Sequence, residues 1–184
     1  MIITISGQAG SGKSSVAKYL ADKLKLKHYS MGDLRRKMAR DRNMSLADLN
    51  ELGEKEEFTD KQVDKAQEDL GKQEDNFVMD GRLSYYFIPK SIKIYIKAKL
   101  RTRAERVYGD ERAEEKFRDI GDSIASLIER ERSDKRRYEK YYELDCNNEL
   151  QYDLVIDSTQ QGVDEVGDEI IKFLKKENII KEIN

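Results

Sequence analysis

The sequence predicts an α/β fold in which a parallel β-sheet is flanked by helices on both faces. Short apolar runs, typical of buried strands, alternate along the chain with longer stretches of helical periodicity, and this alternation is the pattern of a parallel sheet. A glycine-rich loop directly follows the first apolar run and precedes the first helical stretch. The strands are predicted at residues 2–5, 77–79, 92–96 and 154–156.

Helical periodicity fills the intervals between these runs. Val16, Leu20 and Leu24 lie on one face of the helix that follows the glycine-rich loop. Ser45 and Thr59 each begin a sequence that resembles a capping box, so we predict a helix from each, the second extending to about residue 72. Further helices are predicted over 33–42, from Phe117 through Arg137, and around Val163, Val166, Ile170 and Leu174.

Length and composition limit the class of protein. The chain has 184 residues, enough for one domain with a sizeable core, and we predict a single domain over residues 1–184. The 35 Lys and Arg residues against 37 Asp and Glu residues give a net charge of −2, which argues against a nucleic-acid partner. No apolar run approaches the roughly 20 residues of a membrane span. We expect a monomer that makes no membrane contact.

Two residue types that occur only once limit the chemistry. Cys146 is the only cysteine, so no intramolecular disulfide is possible, which fits a cytoplasmic location. His28 is the only histidine, which excludes a metal site with several histidine ligands and argues against a Ser-His-Asp triad. We predict a structural role for His28, near a strand.

The glycine-rich loop reads G-x-x-x-x-G-K-S, the P-loop pattern, in the strand–loop–helix context that gives this motif its chemistry. Its glycines let consecutive backbone N–H groups point at one triphosphate, at the positive end of the following helix. Lys13 is expected to contact the β- and γ-phosphates of ATP, and Ser14 to bind Mg²⁺. The predicted ATP-binding residues of the loop are Gly7, Gln8, Ala9, Gly10, Ser11, Gly12, Lys13, Ser14 and Ser15.

A second candidate site follows the apolar run at 77–79. Asp80 ends this run, where a Walker B carboxylate helps to hold Mg²⁺. Gly81 permits a tight turn, and Arg82 then lies at the carboxyl edge of the sheet, where ligands bind in such folds. An ordinary strand followed by a turn would have the same pattern.

Two further clusters could bind anions. Asp33 and Arg36 begin the second predicted helix, whose N-terminus favours an anionic acceptor, although a solvated basic face is the alternative. Arg130, Asp134 and Arg137 lie on one helix face. Two guanidinium groups beside a carboxylate can bind phosphate and leave an acceptor for a base amino group, although a surface ion pair is the alternative here.

Two charged segments bury little apolar surface and are predicted to move. Residues 31–72, nearly all helical, form one, and residues 108–122 form a lid. Arg103 and Arg106 lie one turn apart just before the lid. A P-loop with several arginine clusters and no evident acid–base pair fits phosphoryl transfer, which depends on positioning and on charge stabilisation.

The chain resembles the cytidylate kinases, most closely the short archaeal type, over about residues 2–175. Its M-D-G-R at 79–82 and R-x-x-x-D-x-x-R at 130–137 are more selective than the P-loop, which many NTPases share. The other shared stretches are I-T-I-S-G-Q-A-G-S-G-K-S-S-V-A at 3–17, S-M-G-D-L-R-R at 30–36, R-A-E-R at 103–106 and V-I-D-S-T at 155–159.

This resemblance implies a P-loop nucleoside monophosphate (NMP) kinase fold with a core, a helical NMP-binding segment at about 31–72 and a small lid at about 108–122. It implies transfer of the γ-phosphate of MgATP to CMP or dCMP, giving ADP and CDP or dCDP. By position, it assigns the CMP phosphate to Arg36, Arg82 and Arg137, the cytosine to Arg130 and Asp134, ATP to Arg103 or Arg106, and the adenine border to residues 157–159. The substrate site also includes Asp33, and the residues expected to be catalytic are Lys13, Arg82, Arg130 and Arg137.

Two departures from the family pattern fall near the acceptor site. Short members carry small residues after G-R-L, whereas here Leu83 is followed by Ser-Tyr-Tyr-Phe at 84–87, and they tend to have Arg after the position of Asp64, where this chain has Lys65. An adenylate-kinase-like or broad-specificity NMP kinase is therefore an alternative. A P-loop ATP-binding regulatory protein is another, although no aromatic-basic RNA-recognition motif is present.

Overall fold

The computed structural model describes residues 1–110 and 117–180. Strands and helices alternate along most of the chain, with one 3₁₀ turn at Glu149–Gln151. In chain order the elements are β1 (Ile2–Gly7), α1 (Lys13–Leu24), β2 (Lys27–Ser30), α2 (Met31–Asp41), α3 (Leu46–Lys55), α4 (Phe58–Gln73), β3 (Phe77–Asp80), α5 (Ser84–Phe87), β4 (Ile92–Lys97), α6 (Leu100–Tyr108), α7 (Ile120–Tyr142), β5 (Leu154–Asp157) and α8 (Val163–Lys176).

The five strands form one parallel sheet in the order β2-β3-β1-β4-β5. Their carboxyl ends therefore meet at the same edge, and the P-loop leaves that edge at its centre, from β1. Strand order reverses on the two sides of β1, which is where ligands of open α/β sheets bind. The predicted fold, a parallel sheet flanked by helices, is confirmed.

Each face of the sheet has its own apolar layer. On one face α1 and α8 pack together, and Leu20 and Ile170 are fully buried between the helices and the sheet. On the other face α2, α3 and α4 contribute side chains to a second cluster, which includes the fully buried Leu49 and Phe77. The segment predicted at 31–72 thus forms part of the core on this side, and its polar residues lie toward solvent or the carboxyl edge.

The structure corrects three details of the predicted elements. Strand β2 was not predicted, because its sequence, Lys-His-Tyr-Ser, is polar and half-exposed at the edge of the sheet. The capping box at Ser45 is confirmed, whereas the one at Thr59 is wrong, since α4 begins one residue earlier and Thr59 is buried inside it. Helix α7 begins at Ile120 after the capping residue Asp119, so Phe117 precedes it.

Residues 111–116, at the centre of the predicted lid, lie outside the described residues. Within the described ranges, no helix combines the length and the apolar character needed to cross a membrane.

Candidate active site

A cavity of about 680 Å³ opens at the carboxyl edge of the sheet. The P-loop forms its floor at one end, and residues of α2, α4 and α7 line the other. The turn after β3 lies between these two ends and contributes Gly81, Arg82 and Leu83. The cavity therefore connects the predicted triphosphate site with the predicted acceptor site.

The P-loop backbone has the shape that the glycine pattern predicts. Gly12 precedes α1 with a φ angle of 90°, in the left-handed region that L side chains rarely adopt. Gly7 has a φ angle of 144°, and a Cβ atom there would lie 2.1 Å from the carbonyl oxygen of Ile96. These turns place the N-terminus of α1 at the cavity, where its free N–H groups suit an anion.

Lys13, the first residue of α1, lines the cavity. Its ammonium group donates a hydrogen bond to the carbonyl oxygen of Gln8 at 3.3 Å. Burial and the positive charge of Arg82 lower the pKa of Lys13 to about 7, although the negative charge of Asp80 opposes the shift. An anion beside this group would restore the charged form, so Lys13 is arranged to bind a phosphate.

Asp80 lies at the end of β3, beside the P-loop. Its carboxylate accepts hydrogen bonds from the Ser14 hydroxyl at 2.6 Å and the Ser30 hydroxyl at 3.2 Å, and it lies 2.7 Å from Nε2 of His28. Burial raises the pKa of Asp80, but the hydrogen bonds from His28 and Ser14 outweigh burial and hold the pKa below its usual range. The Ser14 hydroxyl and an ionised carboxylate are the hard oxygen donors that Mg²⁺ prefers.

His28 has a more specific place than its prediction as a structural residue. It lies on β2, the strand next to β3. Its ring is within hydrogen-bond distance of Asp80, the carboxylate predicted to support Mg²⁺. No sequence signal identified this contact, because β2 itself was not predicted.

The acceptor end of the cavity contains a chain of alternating charges. Arg35 donates to Asp60 at 3.1 Å, and Asp60 also accepts from Arg137. Arg137 in turn donates to Asp134, whose carboxylate lies 2.7 Å from Nε of Arg82. Helices α2, α4 and α7 and the turn after β3 are joined through this chain.

Sequence reasoning missed two members of this chain, Arg35 and Asp60. Asp60 falls in the stretch after Thr59 that resembles a capping box, and Arg35 is adjacent to Arg36 on a helix whose alternative prediction is a solvated basic face. Their partners lie far along the chain, because Asp60 bonds to a residue 77 positions away.

The charge of Asp134 is stabilised by its neighbours. Burial alone would raise the pKa of this carboxyl, but Arg82 and Arg137 outweigh burial and hold the pKa below its usual range. Asp134 therefore remains ionised among the arginines, and it orients two of them.

Four buried atoms of cavity-lining residues make no hydrogen bond at this end within the described structure: Nη2 of Arg35, Nη2 of Arg82, Oδ2 of Asp60 and Oδ2 of Asp134. The last of these is ion-paired with Arg82. Buried polar groups are nearly always paired, so unpaired donors and an unpaired acceptor here indicate a ligand that carries both acceptor and donor groups.

The structure brings most of the predicted site residues together. Arg36, Arg82, Arg130 and Asp134 line the same cavity as Lys13. Arg137 lies behind this layer, only 1% exposed, and acts on the cavity through its partners. Asp33 is exposed and paired with Arg36 outside the lining.

The two arginines before the lid have different positions. Arg106 lines the cavity and donates to the carbonyl oxygens of Ser158, at 2.6 Å, and Gln161, at 3.2 Å. Arg103 is buried away from the cavity lining, where it donates to the carbonyl oxygens of Ala98, at 3.0 Å, and Ala9, at 3.2 Å. Arg103 thus supports the P-loop backbone, and Arg106 faces the ligand space.

Known proteins resemble this chain in sequence and in fold. A cytidylate kinase from Methanosarcina acetivorans is 37% identical over 161 residues, which cover 86% of this chain and 87% of its own. A cytidylate kinase from Methanocaldococcus jannaschii is 35% identical over 184 residues, covering 96% of this chain and all of its own. Among solved structures, the shikimate kinase of Aquifex aeolicus matches 97% of this chain and 98% of its own with a TM-score of 0.58 at 20% identity, a likeness of fold alone.

The sequence model of the cytidylate kinase-like family matches residues 2–160. This match covers the P-loop, the turn after β3 and the cavity-lining face of α7. The chain therefore belongs to the cytidylate kinase-like family.

Proposed function

We propose that this protein transfers the γ-phosphoryl group of ATP to CMP or dCMP, giving ADP and CDP or dCDP. The observation that carries the proposal is a single cavity that has a P-loop at one end and a cluster of arginines at the other. A donor and an acceptor nucleotide can meet there end to end. Membership of the cytidylate kinase-like family supports the choice of CMP.

ATP would bind with its β- and γ-phosphates on the backbone N–H groups of the P-loop and on Lys13. Ser14 and Asp80 would hold Mg²⁺, whose charge offsets that of the phosphates. Arg106 would contact ATP from the side of α6, and the turn that follows β5 would border the adenine, since both line the same end of the cavity.

The acceptor phosphate would lie among Arg36, Arg82 and Arg130. Arg137 and Asp134 would hold the direction of the Arg82 guanidinium. Phosphoryl transfer shifts charge among oxygens, so fixed guanidinium groups beside the transferred group lower the barrier without any proton transfer by the protein.

Closure of the NMP-binding segment at 31–72 and of the lid at 108–122 would exclude water from the cavity. Water is a competing acceptor, and a kinase that assembles its site only on closure wastes less ATP.

An acceptor panel tests the function. ADP formation from MgATP is measured with CMP, dCMP, UMP, AMP and GMP, each over a range of concentrations. We expect ADP to form only with an acceptor present, with the highest kcat/KM for CMP or dCMP. Steady ATP hydrolysis without an acceptor, or a preference for AMP, would contradict the proposal.

A further inference from the structure

One face of α4 brings a second set of polar groups to the cavity. Asp60, Asp64 and Gln67 lie at positions i, i+4 and i+7, which share a helix face, and all three line the cavity. Asp60 belongs to the chain of charges described above. Asp64 and Gln67 have no role in the phosphoryl transfer proposed above.

The amide of Gln67 is held in one orientation. The side chain is buried, with 3% exposure, and its Oε1 accepts a hydrogen bond from the Ser84 hydroxyl at 2.6 Å. Its Nε2 lies 3.4 Å from Oδ1 of Asp64. Because the oxygen of this amide is occupied, the group that Gln67 offers to a ligand is a donor.

The carboxyl group of Asp64 offers the complementary acceptor. Its Oδ2 accepts a hydrogen bond from the Tyr142 hydroxyl, which reaches α4 from the last turn of α7. Burial raises the pKa of Asp64 to about 7, although the Tyr142 hydrogen bond opposes the rise. Above that pH the group is an ionised acceptor with few solvent contacts, beside the donor of Gln67.

We propose that Asp64 and Gln67 recognise the base of the acceptor nucleotide, an inference that rests on the function proposed above. Asp64 accepts a hydrogen bond from the exocyclic amino group of cytosine, and Gln67 donates one to the adjacent ring nitrogen N3. Uracil has a carbonyl oxygen and an N–H group at these two positions, so both contacts become mismatches.

Adenine has the same arrangement of amino group and ring nitrogen as cytosine. The two side chains therefore select bases that carry this amino group, and the apolar walls of the cavity must select ring size. Met31, Val63 and Leu83 form such walls.

Base selection then belongs to α4 rather than to Asp134. Oδ1 of Asp134 accepts a hydrogen bond from Arg137, and Oδ2 is ion-paired with Arg82 but makes no hydrogen bond within the described structure, so both oxygens face guanidinium groups. We assign Asp134 to the positioning of these arginines. Ser84 and Tyr142 are likewise positioning residues, which act through Gln67 and Asp64.

The test compares CMP with UMP as acceptors at saturating MgATP and pH 8, where Asp64 is mainly ionised. The variants are Asp64→Asn, Gln67→Ala and Tyr142→Phe. Glu68→Gln is the matched control, because this carboxylate lies on the same helix, pairs with Lys72 and does not line the cavity. We expect Asp64→Asn to lower the ratio of kcat/KM for CMP to that for UMP by about 100-fold, since an amide can donate to the uracil oxygen.

We expect Gln67→Ala and Tyr142→Phe to lower the ratio of kcat/KM for CMP to that for UMP by about 10-fold. The KM for ATP should stay within about 2-fold of its value in the unmodified protein. The control, Glu68→Gln, should match the unmodified protein in both quantities. An equal loss of CMP and UMP activity in Asp64→Asn would indicate only structural damage and would overturn the inference. If Asp64→Asn does not fold, an unchanged ratio in Tyr142→Phe overturns it. An unmodified protein that phosphorylates no nucleoside monophosphate would instead refute the proposed function itself.

Discussion

Lys13 is held in surroundings that favour loss of its proton until an anion is bound. Burial and Arg82 lower its pKa to about 7, so its charged form is disfavoured unless a phosphate lies beside it. Phosphate binding should therefore be accompanied by proton uptake near neutral pH. In the proposed reaction, the Lys13 ammonium group would stabilise the negative charge that shifts among the phosphate oxygens in the transition state.

Replacement of this lysine tests that role. We expect Lys13→Ala to lower kcat for CMP-dependent ADP formation by 100-fold or more, in line with about 3–4 kcal/mol for the loss of a group that stabilises transition-state charge. Steady-state kinetics with MgATP and CMP measure the effect. Lys18→Ala, an exposed position on the same helix, is the control and should change kcat by less than about 2-fold. Equal rates for the two variants would exclude the assignment.

Asp64 should give the stability of the protein a specific pH dependence. Its pKa is about 7 in the folded protein and about 3.9 in an unfolded chain. Between these values the folded state binds more protons, so this group lowers the free energy of unfolding as the pH rises from 4 to 7 and adds no slope above 7. Because the substituted amide does not titrate, Asp64→Asn should gain stability relative to the unmodified protein over this range.

Urea unfolding of both proteins at pH 5, 6 and 8 measures this difference. The difference in unfolding free energy between the two proteins isolates the contribution of Asp64 from those of the other titrating groups. A difference that is the same at all three values would show that the pKa of Asp64 is not raised.

At the scale of the elements, Asp60 joins α4 to α2 and α7. Its carboxylate, 5% exposed, lies between the guanidinium groups of Arg35 and Arg137. Asp60→Asn would leave two buried cations facing each other, and breaking a buried pair costs about 3–5 kcal/mol. We expect urea unfolding to show a loss of this size.

A matched substitution separates this contact from a general effect of charge. Asp75→Asn removes a carboxylate that is 67% exposed and lies 3.6 Å from Lys90, so it should change the unfolding free energy by less than about 0.5 kcal/mol. If Asp60→Asn is no more destabilising than Asp75→Asn, the chain of charges does not hold these helices together.

Elements whose sequence pattern is local were predictable. The central strands are rich in apolar residues, and the P-loop combines a strand, a glycine pattern and a helix within 24 residues, so both could be recognised without tertiary information. Strand β2 is stabilised by its pairing with β3 rather than by apolar residues of its own. The role of Asp60 could not be predicted, because its carboxylate pairs with Arg35 and Arg137, which are distant along the chain, and no local pattern reveals such pairs.

At the scale of the whole molecule, the fold brings distant segments to one cavity. The arginines of the site come from α2, the turn after β3, α6 and α7, and the net charge of −2 gives no sign of their concentration at one place. The resemblance to cytidylate kinases indicated which arginines to expect. It did not identify Arg35, Asp60 or the contact between His28 and Asp80, because these depend on the packing of helices and an edge strand in this chain.

A single cavity with two nucleotide ends predicts tight binding of a ligand that spans both. Adenosine and cytidine joined through five phosphates would occupy the P-loop and the arginine cluster at once, and the second end would bind at a high effective concentration. We expect its Kd to be at least about 100-fold lower than that of adenosine 5′-pentaphosphate, which lacks the cytidine. Calorimetric titration measures both. Lys13→Ala and Arg82→Ala should each weaken both ligands, because both ligands carry the phosphates that these two side chains are proposed to contact. If the joined ligand binds no more tightly than the pentaphosphate alone, the two ends do not form one continuous site.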